Sequence, residues 1–422
     1  MDADAAQSIG ARARMIRRRR GLSLEVVAGL ARIGASYLSM LERGQRGFNR
    51  RGLVEDLAHA LGCSVADLTG QPYGLLDRRS VEVAAGVAEI SSALHDTTLD
   101  DVPDVSVRPL RELTEGSALA HACADDASYG LAGRGLGALL VELQVHAMAS
   151  GHQVDRSAAL TALVEACKVA YILAKRTGRI ELAGIAAQRG VEAAELVERP
   201  DLIALMQMNR TSALLGVGAQ RRGHLACAQA LRDISALPGP TKDNTATAEA
   251  CGMLHLTTAL IAARDGRSGD VATHLGEARS LAEHTGERNH MRYHFGPTNV
   301  AAWELGLAVE TGTGPDVAKR LDAAPLDLSV FASKGRVAYV HFDFARAWAQ
   351  ADGPHDGKAL RALDAADRLA PVRLRNDPIA RDLVLTLHRR ARRQVWELDS
   401  LRNRFGIGIG IGKAGSQRSS DR

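Results

Sequence analysis

Five side chains able to hold phosphate groups stand within residues 43–51: Arg43, Arg46, Asn49, Arg50 and Arg51. Four carry permanent charge, and the fifth carries an amide that donates and accepts. They follow a segment, GLSLEVVAGLARIGASYLSMLERG at 21–44, that reads as two short helices joined by a tight turn. Ser23 is placed to cap the first helix, with Glu25 in its first turn. Ala28 lies where the two helices would cross. Leu38 and Leu41 face inward on the second helix, which leaves Ser36, Tyr37, Ser39 and Met40 on or near its outer face. Gly34 and Ala35 begin that helix. This geometry suits a helix laid in the major groove of DNA, with the Arg cluster on flanking phosphates.

The charge distribution agrees. Residues 1–76 hold 11 Arg, no Lys and 7 acidic residues, a net +4 that equals the excess of the whole chain. The preference for Arg over Lys runs throughout, but the surplus of charge is local. A helix is predicted from about Ala6 to Arg19, its C-terminal charge supplied by Arg17 to Arg20 and its end by Gly21. That Arg run either touches phosphates or compensates the helix dipole.

The elements that must position these residues are helical. A chain of 422 residues exceeds one ordinary core, and its Ala- and Leu-rich, aromatic-poor composition favours an all-α protein. Five scattered Cys form no CxxC pair, so neither a disulfide framework nor a zinc site is expected. No uninterrupted apolar run approaches 18 residues, and no apolar leader precedes the Arg cluster. A cytoplasmic protein without membrane contact is therefore expected.

Residues 8–70 resemble the Xre/Cro/C1 family of helix-turn-helix domains. The resemblance rests on GLS–E at 21–25, Ala28, SYLS at 36–39, LERG at 41–44, LAxALG at 57–62 and SVADL at 64–68. It implies a five-helix, lambda-repressor-like fold. Three positions depart from the family: Leu24 replaces a Gln that often holds a phosphate, Arg32 replaces the turn Gly, and Ala35 replaces a long polar base reader. The recognition helix is thus poor in side chains for bidentate base contacts. More weight is expected on phosphate contacts and DNA shape. Ser64 and Asp67 repeat a capping pattern before the fifth helix.

Residues 71–79 read as a linker, punctuated by Pro72 and Gly74. From residue 80 to 405 the pattern becomes long helical stretches, with three helices expected over 80–150. Gly178, Gly223, Gly269, Gly314 and Gly357 recur at 45, 46, 45 and 43 residues, each followed by a similar helix start. This is the signature of an α-solenoid. One unit, with Gly216, Ala228 and Pro240 spaced by twelve, resembles a tetratricopeptide repeat with lengthened helices. Residues 406–422, rich in Gly and Ser, read as a disordered tail.

About 14 residues before each repeat Gly, a polar residue interrupts an apolar helix: Glu165, Asn209, His255, Asn299 and Asp343. One turn away lie Lys168, Ser212, Thr258, Trp303 and Arg346. These ten form a candidate ligand-binding stripe on the inner face, suited to the N–H and C=O groups of an extended peptide. His290 and His294 share helical spacing, but no third ligand has diagnostic spacing, so no metal is expected. FGPTN at 295–299 reads as a helix stop followed by a new start. No catalytic motif stands out, and neither an enzyme nor a cofactor is expected.

The whole pattern resembles actinobacterial Xre-family regulators with tetratricopeptide repeats and, in architecture, peptide-responsive quorum-sensing regulators. It implies a homodimeric transcription regulator on a two-fold-related DNA site, gated by a peptide or small molecule. The alternative is a DNA-binding repressor or antitoxin-like protein whose repeats are only a docking scaffold for a partner protein.

Overall fold

A computed structural model describes residues 8–74, 77–149, 151–238, 245–391, 393 and 395–407. Every regular element among the described residues is helical. The head comprises α1 (Ile9–Arg19), α2 (Leu24–Leu30), α3 (Ala35–Glu42), α4 (Arg51–Leu61) and α5 (Val65–Thr69). Ser8 caps α1, Ser23 caps α2 by accepting from the Val26 N–H, and Ser64 with Asp67 forms a reciprocal box on α5. Ala28, Leu38, Leu41, Leu57 and Leu61 make its core. A glycine is required at position 10, because a Cβ there would stand 2.0 Å from the Leu41 carbonyl oxygen. The axes of α2 and α3 meet at 104°, within the roughly 90–120° of helix-turn-helix pairs.

Four helices, rather than three, follow the linker: α6 (Arg78–Asp96), α7 (Leu110–Asp125), the single turn α8 (Tyr129–Gly133) and α9 (Leu136–Ala149). Five antiparallel pairs come next. They are α10 (Gln153–Arg176) with α11 (Ile180–Leu196), α12 (Pro200–Gly216) with α13 (Gln220–Ser235), and α14 (Ala246–Arg264) with α15 (Ser268–Thr285). Then come α16 (Pro297–Thr311) with α17 (Gly314–Ala323) and α18 (Lys334–Ala349) with α19 (Asp356–Leu369). The first helix of each pair packs against the first helix of the next, which is solenoid stacking. Three further helices complete the described residues: α20 (Pro371–Arg375), α21 (Pro378–Arg390) and α22 (Trp396–Arg404).

The periodic glycines mark the pairs, but of them only Gly178 makes a turn. Gly223, Gly269 and Gly357 lie within second helices, and Gly314 starts one. The reversals use Gly178, Gly218, Gly266, Gly312 and Gly353, with φ between 78° and 105° except Gly266 at 73°. A helix ending in the left-handed region favours glycine just past its last turn. Pro240 lies outside the described residues.

The superhelix curls far enough for its ends to meet. Lys334, at the start of α18, pairs with Asp126 beyond α7 at 2.6 Å. Among the described residues two helices, Gln153–Arg176 and Ala246–Arg264, are long and apolar enough to cross a membrane, although neither is an uninterrupted apolar run. In the fold 72% and 67% of those windows are buried against neighbouring helices. The tail boundary also moves: Ile407 is buried with Phe405 in the last core cluster, and residues 408–422 lie outside the described set.

Candidate nucleic-acid interface

The reading face of α3 is open. Ser36 and Arg43 are exposed, Tyr37, Ser39 and Met40 are half-buried, and Gly34 caps the helix with its amide in extended conformation. Ala35 begins α3, half-buried against the head core. Gly34 does not replace the missing turn glycine. Arg32 itself takes the left-handed conformation, with φ at 55°. Ser23 accepts a cap bond from Val26 at 3.2 Å, and its side chain also hydrogen-bonds Glu25.

Two members of the basic run that ends α1, Arg17 and Arg20, are used inside the head, while Arg18 and Arg19 are exposed. Arg17 donates twice to the buried Glu42, at 2.6 and 2.8 Å, and Arg20 donates to the Leu61 carbonyl. Burial works against the Arg17 charge, but its hydrogen bonds to Glu42 prevail and raise its pKa.

Arg43 stays exposed, but the loop that follows it meets the repeat domain. Arg389 donates to the Gly44 carbonyl at 2.9 Å, and Arg46 pairs with Asp352. The Phe48 N–H reaches Asp382 at 2.9 Å, and Arg346 donates to the Asn49 carbonyl at 2.8 Å. The Arg51 guanidinium pairs with Asp377. The backbone N–H groups of Arg51 and Gly52 both reach the Glu310 carboxylate at 3.2 Å. Arg50 is the half-buried N-cap of α4. Beside them on α4, Glu55 accepts two bonds from Arg264 at 3.0 Å.

Glu310 therefore sits where a phosphate oxygen would be held, at the positive end of α4. Burial pushes its carboxyl up, but Arg346, Arg264 and the two N–H groups prevail and keep its pKa below the usual range. Asp377 behaves alike: burial raises it, and Arg51 more than offsets the rise. Both are anionic. The expectation that Arg46 and Arg51 lie free for DNA does not describe this arrangement of domains. The Arg46 and Arg51 charges are met by carboxylates, and the Asn49 backbone carbonyl by Arg346, all from residues more than 250 positions distant in sequence. One local signal marked Glu310. A carboxylate in the last turn of α16 opposes the helix dipole, so it needs a partner outside that helix.

The ten candidate ligand residues fall on the first helices of successive pairs, and the chain itself supplies partners for them. Glu165 meets His121 at 2.9 Å, and Lys168 lies over the Tyr293 ring, 3.5 Å from its centroid. Asn209 donates to the Tyr293 hydroxyl at 2.8 Å, and Ser212 accepts from Lys175. His255 contacts His274 at 3.0 Å, and Thr258 bonds back to Leu254 at 2.8 Å. Asn299 donates to the Tyr293 carbonyl and accepts from Arg336. Trp303 packs against the central core cluster. Asp343 and Arg346 pair with each other at 2.8 Å. His290 and His294 do not share a helix face. A 3₁₀ turn at His290–Arg292 and left-handed residues at Arg292 and His294 separate them.

Residues 8–69 match the family model described as a helix-turn-helix domain. No curated protein and no solved structure matches the chain. The head is a helix-turn-helix domain, and the chain carries the DNA-binding part of a regulator. The matched segment ends at Thr69, one residue before the predicted domain boundary.

Proposed function

We propose that this chain is a cytoplasmic, homodimeric transcription regulator, not an enzyme, whose helical domain controls when its head may grip DNA. The observation that carries the reading is the Glu310 carboxylate on the N-terminus of α4. A DNA phosphate and Glu310 need the same two N–H groups, so the docked head and full phosphate contact exclude each other. The open face of α3 supports base contact, while the occupied loop withholds most of the affinity, which phosphates supply. A signal bound by the helical domain then acts by favouring the undocked arrangement, which it does only by binding that arrangement more tightly. Two heads joined through the repeats would meet half-sites about one helical turn apart.

The experiment compares binding of the full chain and its Glu310→Gln variant to mixed-sequence duplex DNA across a salt series. The variant should bind about tenfold more tightly, because a larger fraction of its heads is undocked. Glu304→Gln is the control. It removes the same charge from the same helix at a residue paired with Arg279 and Arg320. Equal affinities for all three proteins would sink the docking control, and no DNA binding by any of them would sink the regulator.

A further inference from the structure

The inner face of the superhelix already holds a peptide, and that peptide is a piece of this chain. Residues 286–296, between α15 and α16, run into the curl rather than around it. Arg292 reaches Asp125 of α7 at 3.2 Å and Glu165 of α10 at 3.6 Å. The next residue, Tyr293, lays its ring under Lys168 and receives Asn209 of α12 on its hydroxyl. His290 meets Asp201 of α12 at 2.9 Å. Three helices thus build one receptor: an acid pair for a guanidinium, an ammonium and an amide for an aromatic ring with a hydroxyl, and a further carboxylate.

Nothing in those contacts needs the loop to be covalently attached. They recognise an Arg followed by an aromatic residue, through charge pairing and cation–π attraction. The attached loop is moreover an imperfect occupant. Arg292 and His294 sit at φ of 56° and 53°, a conformation that side chains other than glycine's resist. A free peptide does not carry the geometry the two flanking helices impose. The loop also lies within reach of solvent, since the Arg292 and His290 side chains are about one-third exposed.

We propose that this inner face is a binding site for a peptide bearing an Arg–aromatic pair, and that the loop around Arg292 and Tyr293 is a tethered stand-in which such a peptide displaces. The site stands on its own contacts; only its regulatory consequence rests on the reading of the head given above. That consequence follows from α16. Its first turn holds the loop, through the Asn299 donation to the Tyr293 carbonyl at 3.1 Å. Its last turn holds the head, through Glu310. One helix therefore joins the occupied site to the docked loop of α4.

The test uses the full chain carrying Arg292→Ala and Tyr293→Ala, and a labelled, end-blocked peptide with the sequence of residues 288–295, RNHMRYHF. Saturable binding is expected. It should weaken about tenfold when Asp125→Asn and Glu165→Gln are added, or when the peptide's Arg–Tyr pair is replaced by Glu–Ala. A folded variant that shows no saturable binding, or binding indifferent to the acid pair, overturns the proposal.

Should the emptied variant not fold, hydrogen exchange on the unmodified chain decides. The amides of Arg288, His290 and His294, each bonded within or around the loop, should exchange faster with the peptide at millimolar concentration. Unchanged exchange overturns the displacement. DNA affinity is measured separately on the same samples. A chain that binds the peptide but no DNA keeps this site and removes the regulator reading.

Discussion

Arg346 donates from Nε to the backbone carbonyl of Asn49 at 2.8 Å, although 297 residues separate them. The same guanidinium pairs with Asp343 and Glu310, and it is almost fully buried. One side chain thus ties the inner face of the last hairpins to the loop that follows the recognition helix. Burial disfavours its charge, but Glu310 and Asp343 prevail and raise its pKa. A buried cation with two carboxylates and a carbonyl is a satisfied network, and such networks are sensitive to losing one member.

Arg346→Met should therefore be costly. It leaves Glu310 and Asp343 without their shared cation, and about 3–5 kcal/mol of stability should be lost. Urea unfolding of the full chain measures this. A loss under about 1 kcal/mol, the range of exposed pairs, would mean that the network adds little.

Arg43 and Arg51 should behave differently toward DNA. Arg43 is exposed, so Arg43→Ala should weaken binding to all sequences and lower the salt slope by about one. Arg51 is held by Asp377. Arg51→Ala should change the slope only when Glu310→Gln has loosened the head. Salt titrations of the unmodified chain and the four variants separate the two behaviours, and equal effects of Arg51→Ala in both backgrounds would argue against docking.

Arg32→Gly should stabilise the head. A non-glycine residue at φ of 55° costs about 1–2 kcal/mol, and glycine returns up to about 1 kcal/mol of that through its greater unfolded entropy. A net gain of about 0.5–1 kcal/mol is expected, read from the urea midpoint. A decrease would show that the Arg32 side chain contributes more than its backbone costs.

Lys168 gives the folded chain a pH signature. Burial pushes its ammonium down from 10.5 to about 7, only partly opposed by Asp125 and Glu165. Between those values the unfolded chain holds a proton that the folded chain lacks, so this residue makes stability rise with pH across the window. Lys168→Met should flatten that rise relative to the unmodified protein. Urea midpoints at several pH values between 7 and 10.5 test it, and parallel curves would remove Lys168 as the cause.

The head was legible because its signals are local. Ser23 and Ser64 cap the helices that follow them, and Leu38 and Leu41 fall on one face at helical spacing. The regular glycine spacing likewise exposed the helix pairs, though not which glycine turns the chain. That choice depends on where each first helix ends, which in these Ala-rich stretches no single residue announces.

What the sequence alone determined, then, is an all-α chain with a helix-turn-helix head and paired helices at a fixed period. Periodicity and capping act over a few residues and need no tertiary partner. What only the tertiary structure decided is the partner of each charged group. Arg51 looks like a phosphate ligand and Glu165 like an open binding position, because sequence shows a side chain's chemistry but not what faces it. The curl of the superhelix brings Glu310, Asp377 and Arg346 to the loop after α3, and Arg292 and Tyr293 to the inner face. Coulombic and hydrogen-bonding partners are chosen by distance in space. Here that distance is set by the small rotation between successive helix pairs, summed over the whole array.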